Sequence, residues 1–334
     1  MVDYKVKLSH GDGGNKTSEL IRKIFLRNYS NEYKDLINDS FVFKPGSENY
    51  AFTTDSFVVS PLFFRGGDIG KLSVCGTIND LAAAGAVPLY ISAGFIIEEG
   101  FDLKDLEIIA QSMGNICRDC GVNIVTGDTK VVEKGHVNGL YINTSGIGIV
   151  SKHYNPSPIE SQDEIIVTGT IGDHATAILI DRYELDVQSD FKSDCCALSG
   201  LVTGLSKQLE HVKLMKDPTR GGLATILNEI AKSCNKSIEI LESSIPINEH
   251  VKGINSLLGI DPLYLACEGR MVLVVKKEHS GELLERLKTL KEGKGAKLIG
   301  HITDEKLGAV FMNTSIGGKR IVPALEGQTI PRIC

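Results

Sequence analysis

The sequence predicts a two-domain protein of the α/β or α+β class with an extended C-terminal tail. Its 334 residues, of which 42% are hydrophobic, are enough for two buried cores. Short apolar strands alternate with helical patterns in both halves of the chain, which is typical of mixed helix and sheet layers. Residues 315–334 show no sustained periodicity, so we expect an extended, mobile tail there.

The first half, residues 1–150, forms the predicted N-terminal domain. Helical spacing of apolar residues or short apolar runs define its elements. We predict helices at 18–30, 72–86 and 103–120, strands at 51–59, 89–97, 122–126 and 140–150, and a turn at Gly127-Asp128. Residues 151–163 contain Pro156 and Pro158 and few large apolar side chains, so we place the linker between the domains there.

The second half repeats the alternation, and residues 151–314 form the predicted C-terminal domain. We predict strands at 165–168, 238–241, 271–275, 296–302 and 308–312, and helices at 174–183, 195–208, 219–234 and 281–290.

Composition excludes several classes of function. With 36 basic and 42 acidic residues the net charge is −6, which argues against a nucleic-acid partner. No apolar run approaches the roughly 20 residues that cross a bilayer, and no secretory signal is present, so we expect a cytoplasmic protein without membrane contact. The eight cysteines are too sparse for a disulfide scaffold. We interpret the pairs at 117 and 120 and at 195 and 196 as structural thiols.

Four aspartates lie at predicted strand ends or Gly-rich turns: Asp39, Asp55, Asp80 and Asp128. Carboxylate oxygens are the ligands that magnesium prefers, and magnesium is often shared with substrate phosphates. A single aspartate at such a position is more simply a cap or turn residue that binds nearby backbone amides. For the four together we favour a magnesium site.

Two Gly-rich segments are candidates for phosphate binding. KDPTRGG at 216–222 opens the predicted helix 219–234, where free amides, the helix dipole and Arg220 suit an oxyanion. Asp217 could equally be only an N-cap. HGDGG at 10–14 could fold over a nucleotide or be a terminal loop without that role. Neither segment is a Walker A or dinucleotide motif.

Glu268 and Cys334 are candidates for chemistry. Glu268 precedes an apolar strand, where burial would raise its pKa and suit it as a base, although the sequence alone favours a turn residue paired with Arg270. Cys334 is the last residue, and an exposed thiol is an oxidation liability unless it is used. From 327 to 334 an extended chain reaches roughly 25 Å, so the tail could enter a cleft or leave it.

Eight strings together resemble the HypE family of carbamoyl dehydratases, hydrogenase maturation proteins of the aminoimidazole ribonucleotide synthetase and selenophosphate synthetase superfamily. They are HGDGG at 10–14, TTDS at 53–56, GGDIGK at 66–71, CGTIND at 75–80, GDTKV at 127–131, DPTRGG at 217–222, CEGR at 267–270 and PRIC at 331–334. The terminal string is the most specific of these.

The resemblance implies a PurM-like (aminoimidazole ribonucleotide synthetase-like) fold, a homodimer through the N-terminal domains, and ATP bound with Mg²⁺. It carries the metal ligands over onto Asp55, Asp80, Asp128 and Asp217, and also onto Asp39. The implied nucleotide-binding residues are His10, Gly11, Gly13, Gly14, Asp68, Lys71, Thr126, Thr219, Arg220 and Gly221.

The resemblance also implies a reaction. A carbamoyltransferase similar to HypF would place a carbamoyl group on Cys334, and ATP would phosphorylate its oxygen. Glu268 would then remove the nitrogen proton while Lys130 stabilises developing negative charge, although without the motif Lys130 would be a surface lysine. The thiocyanate would supply cyanide for the nickel-iron hydrogenase through a scaffold similar to the HypC and HypD pair.

Two other functions stay open on the sequence. A non-catalytic thiol carrier would use Cys334 only to shuttle a group, and the aspartates argue against it. A selenophosphate-synthetase-like enzyme would consume ATP but would need no terminal thiol.

Overall fold

The computed structural model of the protein describes residues 41–187 and 189–325, together with Lys16 and Glu19. The loop at 10–14, Asp39 and Cys334 lie outside the described residues. Of the predicted helix at 18–30, the structure describes Glu19.

The first domain is built on a five-stranded sheet in the order β1-β2-β7-β5-β6. Neighbouring strands are antiparallel except β5 and β6. The strands are β1 (Phe41–Phe43), β2 (Tyr50–Phe57), β5 (Ala86–Glu98), β6 (Asn123–Val132) and β7 (Leu140–Val150). A short hairpin, β3 (Phe63–Phe64) and β4 (Gly67–Asp68), leads into helix α1 (Ile69–Ala83), and α2 (Leu103–Cys120) follows β5. Buried and more exposed residues alternate along β7, so the helices cover one face of this sheet.

The second domain is built on a seven-stranded sheet in the order β14-β13-β10-β12-β8-β11-β9. Its strands are β8 (Glu164–Val167), β9 (Val212–Lys216), β10 (Ile238–Leu241), β11 (Val272–Val275), β12 (Lys297–Ile302), β13 (Val310–Asn313) and β14 (Lys319–Val322). The helices are α3 (Asp173–Arg182), α4 (Ser199–Leu205), α5 (Gly222–Cys234), α6 (Glu249–Leu258) and α7 (Lys277–Thr289), with 3-10 turns at Ser206–His211, Glu242–Ser244 and Pro262–Tyr264. Every residue of β11 is buried, because both faces of the sheet are covered.

Helix α1 lies between the two domains and is buried around its whole circumference. Thirteen of its fifteen residues are buried. One hydrophobic cluster joins its apolar residues to Ala175, Cys195 and Leu265 of the second domain. A second cluster joins Leu81 to Leu198 and neighbouring residues. The two domains therefore share a continuous core through this helix.

Several elements differ from the sequence predictions. The turn expected at Gly127-Asp128 is wrong, because β6 continues through it and pairs with β5. Gly127 permits a close approach there, since a Cβ atom would stand 2.2 Å from the carbonyl oxygen of Ala93. Helix α5 begins at Gly222 and not at residue 219, because Gly221 and Gly222 both have positive φ.

The predicted helix at 195–208 divides into α4 and a 3-10 turn. The segment expected to be an extended tail from residue 315 contains strand β14, which pairs antiparallel with β13 at the edge of the sheet. The short edge strand carries no sustained apolar pattern, which is why the sequence did not indicate it. Strand β9 and helix α6 were also not predicted.

Glycine in β7 sets how closely α1 packs on the first sheet. A Cβ atom on Gly146 would stand 2.6 Å from a methyl carbon of Thr77 and 3.0 Å from a methyl carbon of Leu81. Such overpacking costs about 1–3 kcal/mol, so we expect Gly146→Ala to lower the free energy of unfolding by that amount. Urea unfolding followed by circular dichroism measures it, since the chain has no tryptophan.

The control for this prediction is Gly114→Ala in α2. A Cβ there meets only the flexible end of Arg118 at 3.3 Å, so the helix propensity of alanine should raise stability by up to about 1 kcal/mol. Equal effects of the two substitutions would contradict the packing explanation.

Candidate active site

Two of the predicted metal-binding aspartates meet where β2 packs on α1. The hydroxyl of Thr53 donates a hydrogen bond to Asp80 at 2.7 Å. Oδ2 of Asp55 lies 3.9 Å from the position that a Cβ atom on Gly76 would take, and Gly76 is one helical turn before Asp80. The structure therefore brings Asp55 and Asp80 to the same strand–helix contact.

Asp68 and Lys71, predicted to bind nucleotide, lie at the other end of α1. The buried carboxylate of Asp68 caps the helix by accepting from the amides of Gly70 at 2.7 Å and Lys71 at 3.0 Å. Nζ of Lys71 donates to the carbonyl of Gly66 at 2.8 Å. Asp80 is twelve positions after Asp68, or about 18 Å along the helix axis. The structure thus does not bring these two predicted residues to the aspartates.

The DPTRGG loop reaches across to the first domain. The guanidinium of Arg220 pairs with Oδ1 of Asp55 at 3.0 Å. Burial raises the pKa of Asp55, and the charge of Arg220 and a hydrogen bond from the amide of Ser56 partly offset this. Thr219 is half-buried and Asp217 is buried at the start of the same loop. Gly221, with φ of 71°, lies against Thr225, whose buried hydroxyl has no hydrogen-bond partner among the residues that the structure describes.

Glu268 is 3% exposed and lies beside this loop. Burial raises its pKa well above the usual range, and the nearby acidic groups of Cys195, Asp217 and Asp55 raise it further. The amide of Cys267 donates to the carbonyl of Pro218 at 2.9 Å, which joins the two loops. The geometry therefore collects three carboxyl groups, at 55, 217 and 268, at the boundary between the domains.

Glu268 lies in a bend, as the alternative interpretation expected, but the pairing with Arg270 that it also expected is wrong. Arg270 instead binds Asp173 at 3.2 Å and lies 3.8 Å from Asp194. Its guanidinium also donates to the carbonyl of Thr170 at 2.8 Å. The partners of Arg270 therefore all belong to the second domain, and they hold its side chain in place of Glu268.

Thr126, Asp128 and Lys130 lie apart from this group on the edge strand β6. Lys130 pairs with Asp128 at 2.7 Å, and both side chains are about two-thirds exposed, at 67% and 69%. Asp55 pairs in register with Thr144, Ala93 and Gly127, whereas Asp128 belongs to the next row and so to the opposite face. Three strand spacings, or about 14 Å, separate the two aspartates. Within one chain they do not form a joint site.

No group of three or more His, Cys, Asp or Glu side chains in the described part of the chain is arranged to hold a metal ion. The predicted magnesium ligands Asp55, Asp80 and Asp217 lie in one region, but their carboxylates do not converge on a single position. The metal site stays a prediction, and Asp39 lies outside the described residues.

Burial raises the pKa of four thiols of the cysteine pairs and their surroundings. It raises the pKa of Cys117 to about 11 and of Cys196 to about 12, and it raises the pKa of Cys267 well above its usual value. A hydrogen bond with Cys75, together with burial, does the same for Cys195. These properties agree with the interpretation of the cysteine pairs as structural thiols.

The sequence did not indicate two residues that hold the backbone around Glu268. The side chain of Asn79 and the carboxylate of Asp194 both bind backbone groups of this loop. Asn79 belongs to the CGTIND string, which was noted for Asp80 alone. Asp194 stands next to a cysteine pair without any motif of its own.

The raised pKa of Glu268 predicts a pH-dependent effect of Glu268→Gln on stability. Above the usual glutamate pKa of 4.5 the unfolded chain ionises this carboxyl first, so the wild type loses stability as pH rises toward the folded pKa. We expect the urea midpoint of the variant to exceed that of the wild type by an amount that grows with pH and vanishes near pH 4.5.

Glu285→Gln is the control, because Glu285 is an exposed helical residue paired with Lys288. This control should show no comparable growth with pH. A difference for Glu268→Gln that stays constant across pH would contradict the assigned environment.

Both domains match family models. Residues 38–150 match the AIR synthase related protein N-terminal domain, and residues 160–313 match its C-terminal domain. The PurM-like fold that the sequence resemblance implied is therefore confirmed.

The full length of the chain also has close relatives. It is 46% identical to the carbamoyl dehydratase HypE of Rhizobium leguminosarum bv. viciae, with 100% of this chain and 96% of the relative covered. A crystal structure of a HypE–HypF complex superposes with a TM-score of 0.86 at 44% identity and covers 92% of this chain and 99% of that one. A HypE structure in complex with ATP gives 0.82 at 40% identity, over 99% and 100%. The chain belongs to the AIR synthase related family and, within it, to the HypE carbamoyl dehydratases.

Proposed function

We propose that this protein uses ATP to dehydrate a carbamoyl group on its own Cys334 to a thiocyanate, which supplies cyanide for a nickel-iron hydrogenase. The observation that carries the proposal is the buried Glu268, which lies near Asp217 and Asp55 at the domain boundary. Arg220 pairs with Asp55 there. A solved relative binds ATP. Family membership supports the assignment of the reaction.

Glu268 is the proposed base of this reaction. Loss of water from S–C(=O)–NH₂ to S–C≡N removes both nitrogen protons and the oxygen. ATP supplies the phosphoryl group that makes the oxygen a leaving group. A carboxyl with a raised pKa holds a proton more strongly than an ordinary glutamate, which suits it to accept one from nitrogen near neutral pH.

Arg220, Thr219 and Gly221 are the proposed phosphate contacts of the second domain. Their loop ends at α5, whose first amides point out of the helix, and Arg220 can bind an oxyanion with two donors. Asp68, Lys71 and the loop at 10–14 stay predicted nucleotide contacts by family motif.

Magnesium fits the donor set of this region. Asp55, Asp80 and Asp217 offer only hard carboxylate oxygens, and the pKa of Asp55 is raised by burial, so a divalent cation would relieve its desolvation. When bound, the ion would neutralise charge on the transferring phosphoryl group. Asp39 and Asp128 stay proposed ligands from the family motif.

The proposed partners follow the family. A carbamoyltransferase of the HypF type would load Cys334, as a solved relative forms a complex with HypF. A HypC–HypD type scaffold would accept the cyanide. Within the described residues no helix has the length and apolarity to cross a membrane. We propose a cytoplasmic location, where these partners would act.

Two rival functions make different predictions for Cys334. A thiol carrier would bind the carbamoyl group without ATP-dependent loss of water. A selenophosphate-type synthetase would turn over ATP with selenide whether or not Cys334 is present.

Intact-mass spectrometry tests the reaction. We expect incubation with the carbamoyltransferase, carbamoyl phosphate and ATP to add a carbamoyl mass on the final residue and then convert it to a cyano mass, with release of ADP and phosphate. Cys334→Ala should show neither change while still folding as the wild type. A carbamoyl adduct that never loses water, or ATP turnover that survives Cys334→Ala, would exclude the proposal.

We also propose that the chain forms a homodimer through the first domain. The sheet face away from the helices carries a row of apolar side chains, Phe52, Ile147 and Tyr90, of which Phe52 is 46% and Tyr90 49% exposed. Strand β6 is an uncovered edge next to this face in the described residues. A second copy of the chain could cover the apolar row and pair with the edge strand β6. It would then lie close to Thr126 and Lys130.

Sedimentation of charged variants tests the dimer. We expect Tyr90→Lys combined with Phe52→Lys to shift the protein to monomer, because the substitutions place like charges in the proposed interface. Leu257→Lys is the control, since Leu257 is 89% exposed on α6 of the other domain. A dimer that persists in the double variant, or a control variant that also becomes monomeric, would contradict this interface.

A further inference from the structure

The side chain of Asn79 uses all its hydrogen-bonding groups on the backbone of the second domain. Nδ2 donates to the carbonyl oxygens of Glu268 and Cys196, both at 3.1 Å, and Oδ1 accepts from the amide of Leu198 at 2.8 Å. Asn79 is 1% exposed and directly precedes Asp80 in α1. One side chain of the first domain therefore links the helix of a predicted metal ligand to the proposed base.

The backbone on both sides of Glu268 is held as well. The preceding amide, of Cys267, donates to Pro218, and the following amide, of Gly269, donates to Oδ2 of Asp194 at 3.0 Å. Gly269 packs so closely that a Cβ atom would stand 1.9 Å from the carbonyl oxygen of Asp194. Of these contacts, the hydrogen bond from Asn79 connects the Glu268 loop to the first domain.

We propose that Asn79 is a positioning residue for the dehydration, because it fixes the main chain of Glu268 relative to helix α1 and Asp80. This inference rests on the proposed role of Glu268 as the base. Helix α1 is buried on all sides, so it provides a fixed reference, whereas Glu268 lies in a loop outside any helix or strand.

The expected effect is on the chemical step. Displacement of a reacting group by about 1 Å reduces a rate by roughly 10²-fold, since the proton transfer depends on close approach. Removal of the two donors of Asn79 takes a hydrogen bond from the carbonyl of Cys196 and leaves the carbonyl of Glu268 with the longer bond from the amide of Cys196 at 3.4 Å, so we expect the loop to shift. Carbamoyl loading and nucleotide binding use other groups and should not change.

Single-turnover dehydration of the carbamoylated full chain tests the inference. Protein loaded by the carbamoyltransferase is mixed with ATP, quenched at intervals and analysed by intact mass. We expect Asn79→Ala to slow conversion by about 10–100-fold, with ATP affinity by calorimetry and the loading rate as in the wild type.

The matched control is Asn255→Ala. Asn255 is also a fully buried helical asparagine, and its amide donates to Thr176 and to the carbonyl of Val251 at 2.8 Å, away from Glu268. This variant should lose stability comparably and keep the wild-type rate of dehydration. Equal slowing in both variants would overturn the inference, because it would show a general effect of destabilisation.

A double-mutant cycle separates positioning from the proposed function. If Asn79 acts through Glu268, Asn79→Ala should cause no further loss of rate in a Glu268→Gln background, whereas a multiplied loss would overturn the inference. A normal rate for Glu268→Gln alone would refute Glu268 as the base. A slow Glu268→Gln with a normal Asn79→Ala would refute only the role of Asn79.

Asn79→Asp provides a second variant if the alanine variant does not fold. The carboxylate retains the volume and the acceptor for Leu198 and removes both donors. Loss of both donors should slow conversion as in Asn79→Ala. An unchanged rate would overturn the inference.

Discussion

The structure depends on the burial of one helix between two sheets. Helix α1 has no solvent-exposed face, so each of its polar side chains must find a partner within the protein. Ser73 donates to the carbonyl of Gly70, Thr77 shares a hydrogen bond with Thr144 of β7, and Asn79 binds the second domain. These contacts fix the rotation of the helix about its axis. The direction of Asp80 toward β2 follows from that rotation.

The sequence predicts an element well where one of its faces is exposed. Helix α2 shows amphipathic spacing, and its predicted range coincides with Leu103–Cys120. Helix α1 is apolar on all sides, so periodicity cannot define its ends, and the predicted range of 72–86 is displaced by three residues. Strand β6 contains Gly127-Asp128, a typical turn pair, but pairing with β5 overrides the local preference.

The sequence predicts the chemical groups of the site better than their arrangement. Short motifs indicated Asp55, Asp80, Asp217 and Glu268, and the structure brings these residues to one domain boundary. The function of Asn79 was not predictable, because its partners are backbone groups 117 to 189 residues away that carry no side-chain signature. The distance of Asp128 from Asp55 depends on strand order, which a single motif does not contain.

The distribution of charge explains why the proposed base is free to act. Arg270 is engaged by Asp173 and Asp194, and Arg220 is engaged by Asp55. Neither arginine pairs with Glu268, so burial and the neighbouring acidic groups determine its pKa, and they raise it. The pKa values of the thiols of Cys195, Cys196 and Cys267 are raised as well, which keeps these thiols protonated. Because a thiolate would attack a thiocyanate, protonated thiols at these three positions would be compatible with the proposed cyano product.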